Sequence, residues 1–344
     1  MAEAMARTIA FFLRGLARWV LIAACVCGAL ASAGCQRNSP PPQQQAVTIG
    51  TGFEPLAGLL FVAEARGFFA AEGITPTLRK YASGKLALDA MLNGEVEAAC
   101  AAETPVVFES LQRQDFSILA SIGTSSNDVR IVARRDRGIS QPAELRGKRI
   151  ATQRNSALHF FLHLFLLKHG LTEQEVTILF QAPASLPEAL AKGNADAVAV
   201  REPLLSEAVL LLGSQAIVFE AAGLYVKSYP LIVPKSLLER KPGLARALLR
   251  ALVRAEDFAA TSPDQARTIV AQAAGIADTT VASEWRYLDL RVTLSQSLLL
   301  GLEDEARWAI TQRQASQAAL PNYLQFIDAT AIAAVKPQAV TVVH

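Results

Sequence analysis

The chain has 344 residues, 51% hydrophobic and 19% charged, with 33 basic against 31 acidic side chains and a net charge of +2. That length holds a large core and more naturally two domains than one. The balanced charge removes any electrostatic footing for nucleic-acid binding.

Residues 1–34 read as a signal peptide: Arg7, Arg14 and Arg18 precede an uncharged apolar run over 19–33. The run is short for a membrane span and suits an export signal. Two processing readings stand at its end. Ala31-Ser32-Ala33 fits a small-x-small cleavage site, and Ala33-Gly34-Cys35 resembles the end of a bacterial lipobox, with Ser32 where an apolar residue is usual. Residues 35–45, rich in Pro and Gln, read as a tether with nothing to bury. A tether beside a lipidated Cys35 would hold a folded body off the membrane, and that reading is favoured. Removing residues 1–34 takes three Arg and one Glu, leaving 30 basic and 30 acidic side chains. Cys100 is then the one cysteine besides Cys35, so no internal disulfide forms; in an apolar strand it reads as a buried, inert thiol.

From 47 onward strand and helix patterns alternate. Residues 47–51 read as a strand, 52–55 as a turn, 56–67 as a helix and 74–81 as a strand. Ser83-Gly84 starts a helix to Leu92, with Asn93-Gly94 as its stop. A strand at 96–102, a turn at Glu103-Thr104-Pro105 and a helix at 106–112 complete the first unit. Strands at 115–123 and 129–134 and a helical turn at Gln141-Pro142 lead to a second one. There a strand at 149–152 breaks at Asn155-Ser156, with Ser156 in the N-cap position of a helix over 157–169. A strand at 176–181, a helix at 186–192 stopped by Gly193, a strand at 195–200 and a helix from Leu204 follow. After a strand at 229–233 the pattern is helical, over 243–261, 263–273, 278–287 and 297–315, with no strand partners.

The two units align residue by residue: 90–98 (AMLNGEVEA) matches 189–197 (ALAKGNADA), and Glu103-Thr104-Pro105 answers Glu202-Pro203. Strands alternating with helices imply parallel sheets covered on both faces. Ligands bind such sheets at the carboxyl ends of the strands. Those ends carry the candidate ligand contacts Phe53, Glu54, Ser83, Glu103, Thr104, Arg154, Asn155, Ser156 and Glu202. The strand-to-helix turn at Ser156 leaves free N–H groups suited to an anion. Glu103 and Glu202 also read as ordinary turn residues, and Arg154 and Arg201 as either anion clamps or partners for those two acids. His159 and His163, four apart, have a spacing that can hold zinc; Phe160 stands where such motifs carry Glu, no third ligand shows, and a packed helix face is the reading kept.

Residues 63–74 (AEARGFFAAEGI), 90–98, 145–150 (LRGKRI) and 193–197 (GNADA) resemble bacterial extracytoplasmic solute-binding proteins of ABC importers. The branch is the one with sulfonate, taurine, nitrate and thiamine-pyrimidine-precursor binders. The resemblance runs from about Val47 to the end and implies an α/β, two-lobed, type II periplasmic-binding fold. In it the second lobe is inserted in the first, and the C-terminal region is helical. The expected lobes are 46–135 with 228–344, and 136–227, joined by hinge crossings near 135–138 and 222–227. The implied function is a periplasmic receptor that closes on a small organic solute, an anion among the candidates, and delivers it to a permease and ATPase. No catalysis, cofactor or metal is implied. Asn155-Ser156 replaces the family's frequent Gly-Thr, and Glu202 stands where an aromatic often precedes the Pro, so the ligand is the least transferable feature. The alternatives are a lipid-anchored sensor of the same fold and a related enzyme, such as a menaquinone-pathway lyase or the pyrimidine synthase of thiamine biosynthesis. The synthase's cysteine cluster is absent, and an export signal opposes a cytoplasmic enzyme.

Overall fold

The computed structural model describes residues 44–311 and 319–343. The expected signal peptide and lipidation at Cys35 lie outside them, as does most of the 35–45 tether. The tether is shorter than expected: Gln45 already pairs with Ile74 in the first sheet.

Eleven strands form two sheets among the described residues. They are β1 Gln45–Gly52, β2 Ile74–Tyr81, β3 Ala98–Cys100, β4 Phe116–Ser125, β5 Arg130–Arg134, β6 Arg149–Thr152, β7 Thr177–Phe180, β8 Ala197–Val200, β9 Ala216–Phe219, β10 Lys227–Pro234 and β11 Leu288–Asp289. The first sheet runs β11-β4-β10-β3-β1-β2 and the second β7-β6-β8-β5-β9. In each, three strands are parallel (β2-β1-β3 and β7-β6-β8) and the next is antiparallel. The inner strands Ala-Ala-Cys and Ala-Val-Ala-Val are buried throughout, because helices cover both faces.

The internal repeat holds at the level of single hydrogen bonds. Glu95 N–H reaches Ala90 O and Asn194 N–H reaches Ala189 O, each at 2.9 Å. Gly94 and Gly193 sit at the matched turns with φ of +80° and +73°, a conformation that glycine enters without steric cost. Glu97 and Asp196 then fasten the first strand of each unit: their N–H groups donate to Thr48 O and Arg149 O, and their carboxylates accept from Thr48 N and Arg149 N.

The second lobe is inserted between β4 and β10, but the crossings differ from the expected ones. β5 pairs with β8 and β9, so the chain leaves the first sheet over 126–129 rather than at 135–138. An apolar strand reads the same in either sheet, and only pairing partners decide. The return runs over 220–226, between β9 and β10. The C-terminal helices pack on the first lobe. Helix Leu244–Thr261 buries Leu248, Leu249 and Leu252 to 1% exposure or less, each burial worth about 1.5–3 kcal/mol. This region does have a strand partner: β11 pairs antiparallel with β4. A two-residue strand leaves no period to read.

Candidate functional site between the lobes

The carboxyl ends of β1, β2 and β3 face those of β6, β7 and β8, and the loops after them meet. From the first lobe Glu54, Ser83, Gly84, Lys85, Ala102 and Pro105 line one cavity; Gln153, Ser156, Ala157, Leu158 and Arg201 line it from the second, with Lys227 at the return. Its volume is about 20 Å³, room for a water but not an organic solute, so the lobes stand closed on each other. A neighbouring hollow of about 200 Å³ is lined mainly by Phe53, Ala82, Ala184, Pro203 and Leu204, with Arg201 and Glu202 at its polar side.

Two helices begin at the cavity. Helix Gly84–Leu92 is capped by Ser83, whose Oγ accepts the Leu86 N–H at 3.3 Å. Gly84 is needed for its approach to β3, since a Cβ there would lie 2.8 Å from Ala101 Cα. Helix Ala157–Lys168 starts after Asn155, which takes a left-handed φ of +54°. Ser156 holds the N-cap position but does not cap, contrary to expectation. Its Oγ donates to Gln153 O at 2.8 Å, which folds the loop instead. Gln153 Nε2 crosses to Ser83 Oγ at 3.0 Å.

Four charged side chains are buried where the lobes join. Arg201 donates from Nε and Nη2 to the two oxygens of Glu54 at 3.1 and 3.0 Å, a bidentate pair from lobe to lobe. Lys227 Nζ, at the start of β10, donates to both Glu54 and Asp128. Exposure of these side chains is 8% or less. Burial alone would raise the Glu54 pKa, but Arg201 and Lys227 outweigh it and hold the carboxyl at about 2. Tyr229 Oη fixes the end of β1 by accepting the Gly52 N–H at 3.0 Å. The Cys100 thiol, fully buried, is pushed well up by burial and by the Glu54 charge, so it stays protonated.

The sequence-derived candidates divide here. Glu54, Ser83 and Ser156 line the cavity, and Phe53 and Glu202 line the adjoining hollow. Glu202 also accepts from Ser206 N and Oγ. Glu103 and Thr104 face the return crossing: both Glu103 oxygens accept the Ser228 N–H, at 3.0 and 2.9 Å, and Thr104 Oγ1 lies 3.5 Å from Tyr225 Oη. Arg154 neutralises neither acid; its guanidinium lies 3.8 Å from the centre of the Phe180 ring, on the exposed side of the loop. Arg201 is paired with Glu54, not with Glu103 or Glu202. Gln153, Lys85 and Lys227 were missed. Only Lys227 carried a signal, a lone cation ahead of the apolar strand at 229–233.

His159 and His163 both turn to Glu173, at 3.5 and 3.0 Å. Trp308 of the first lobe donates to the same carboxylate at 3.4 Å and packs against both rings. Burial opposes the ionised form of Glu173, but the histidine contacts prevail and hold its pKa at about 2. Among the described residues no group of three His, Cys, Asp or Glu is placed to hold a metal ion.

The family described as NMT1/THI5 like matches residues 55–266. The taurine-binding periplasmic protein of Escherichia coli (strain K12) is 28% identical over 229 residues, covering 64% of this chain and 69% of that protein. Among solved structures, the alkanesulfonate-binding protein SsuA from Xanthomonas axonopodis pv. citri, bound to MOPS, has a TM-score of 0.71 at 20% identity, covering 84% of this chain and 99% of that one. The desulfurization enzyme DSZB has a TM-score of 0.61 at 16% identity, covering 86% and 99%. One fold thus carries both binding and chemistry.

Proposed function

We propose, from the premise that the chain belongs to the NMT1/THI5-like family, that it is the extracytoplasmic solute receptor of an ABC import system. It takes a small organic acid between its lobes and presents it to a permease. The observation that carries this reading is the meeting, in one interlobe cavity, of two helix N-termini with Arg201, Lys227, Gln153 and Ser83. Helix ends offer unpaired N–H groups and partial positive charge, which suits a sulfonate or carboxylate. A solute enters when the lobes part about the two crossings at 126–129 and 220–226, and the lobes then close on it. The taurine-binding relative and the sulfonate-binding neighbour support a sulfonate or a close analogue.

Thermal shift with taurine, alkanesulfonates, nitrate, aromatic carboxylates and pyrimidines tests the reading. A true ligand at a hundred times its Kd should add about 2.7 kcal/mol of stability. Stabilisation by none of the acids would overturn the acid receptor, and product formation would move the protein to the enzymatic side of its fold.

Cys35 and the Pro/Gln run after it support a periplasmic protein anchored by lipid. Cys35→Ala should then release the protein from the membrane fraction or block its processing. Mass spectrometry that finds a native, unmodified N-terminus at Gly34 would refute the anchor.

A further inference from the structure

We propose that Glu54 makes this cleft select singly charged over doubly charged organic acids. The inference rests on the reading of the cleft as an acid receptor and adds what sets its charge selectivity.

Three cations line the cavity, and each already has a carboxylate. Lys85 Nζ holds both oxygens of Asp89, at 2.9 and 2.7 Å. Arg201 holds both oxygens of Glu54, and Lys227 is shared between Glu54 and Asp128. The formal charges of Lys85, Arg201, Lys227, Asp89, Glu54 and Asp128 therefore cancel. What remains to receive an anion is the backbone. The first N–H groups of an α-helix have no partner inside it, and the cavity-lining residues Gly84, Lys85, Ala157 and Leu158 are the first two of each of the two helices. Each helix end is equivalent to roughly half a positive charge, so the pair matches about one negative charge. A second one would face the Glu54 carboxylate across the same narrow space, away from water that could screen it.

Glu54 cannot step aside by taking up a proton, since its cationic neighbours hold it at about 2. The titratable and charged groups around it are Arg201, Lys227, Asp128, Tyr229 and Cys100. Burial first, and then the Glu54 charge, raise the Tyr229 hydroxyl and the Cys100 thiol, so both remain neutral. The Glu54 cluster keeps its charge from mildly acidic to mildly basic pH. Glu103, which feels the charge of Lys227 and is pushed by burial to about 7, gains a negative charge over the same range and has to be held neutral for any change in selectivity to belong to the ligand.

The test compares ethanesulfonate, a monoanion throughout, with ethyl phosphate, whose second ionisation falls near pH 6. Calorimetry on the whole protein at pH 5 and pH 8 gives the ratio of the two dissociation constants, read in the wild type and in Glu103→Gln, which keeps that carboxyl from gaining charge between the two pH values. The ratio should lie near one at pH 5 and favour the sulfonate at least tenfold at pH 8. In Glu54→Gln the preference at pH 8 should shrink to a few-fold or reverse. A wild-type ratio that stays near one or turns toward the phosphate at pH 8 overturns the proposal, as does an unchanged preference in Glu54→Gln. If Glu54→Gln does not fold, the two ratios measured in Glu103→Gln decide. If ethanesulfonate itself does not bind, the receptor reading for this acid falls first and takes the selectivity with it. Sulfonate binding without discrimination sinks the selectivity alone.

Discussion

Lys227→Met is expected to lower the unfolding free energy by about 3–5 kcal/mol, read from urea denaturation at pH 7. Lys227 is 1% exposed and lies between the carboxylates of Glu54 and Asp128. Methionine fills much the same volume, so the loss measures charge rather than a cavity. Removing the shared cation leaves two acids against the single Arg201, inside a junction that excludes water. Breaking a buried pair from one side is costly, whereas replacing all its members by neutral side chains often is not. Lys227→Met combined with Glu54→Gln and Asp128→Asn should therefore recover most of the loss. A single variant that loses less than about 1 kcal/mol would mean the junction is wet enough to screen its charges.

Stability should also fall as pH rises from about 4.5 toward 7, and the residues responsible are Glu103 and Glu305. Both carboxyls are buried at the return crossing, where Tyr225 Oη donates to Glu305 Oε1 at 3.3 Å. Burial, offset in part by backbone N–H groups and Lys227, pushes Glu103 up to about 7 from an ordinary 4.5. Burial and then the charge of Glu103 raise Glu305 well above its usual range. The folded chain keeps protons there that the unfolded chain has already released. The stabilisation is thus whole below about 4.5 and is lost as pH climbs through the folded pKa. For Glu103 the loss is about 3 kcal/mol. Glu54 and Glu173, held at about 2, act in the opposite sense, and only between about 2 and 4.5. Urea midpoints at pH 5 and pH 8 measure the slope. Glu305→Gln should flatten it and make the variant the more stable protein at pH 8. An unaltered slope would rule out a proton held between these two acids.

Much of the architecture was written locally. Asn93-Gly94 and Lys192-Gly193 mark matched helix stops because only glycine enters that turn freely, and both sit where the repeat places them. Apolar runs such as Ala197–Val200 showed strands covered on both faces. What local pattern does not encode is partnership. β5 reads the same in either sheet, and its pairing with β8 alone moves the crossing. Glu54 read as a ligand contact at a strand end, and only the fold brought Arg201, 147 residues away, against it. Ser156 had the right residue type and position for a cap, yet its hydroxyl found Gln153 O closer to hand. Trp308, from helix Gln296–Thr311, gave no sign of the His159 and His163 rings it packs on.

The strand exchange between the sheets sets an order of assembly. β3 and β4 are not neighbours; each is hydrogen-bonded to β10, which follows the whole inserted lobe. A chain emerging N-terminus first has β1, β2 and β3 to hand early, but nothing to join them to β4 until residues 126–226 have been made. At 5–20 residues per second that wait is on the order of 5–20 s. The inserted lobe needs no such latecomer, because β5 to β9 are contiguous in the chain. The part of the molecule synthesised second is therefore the first that can be finished. Until β10 arrives, the facing edges of β3 and β4 stay open to any other strand, including one from a second copy.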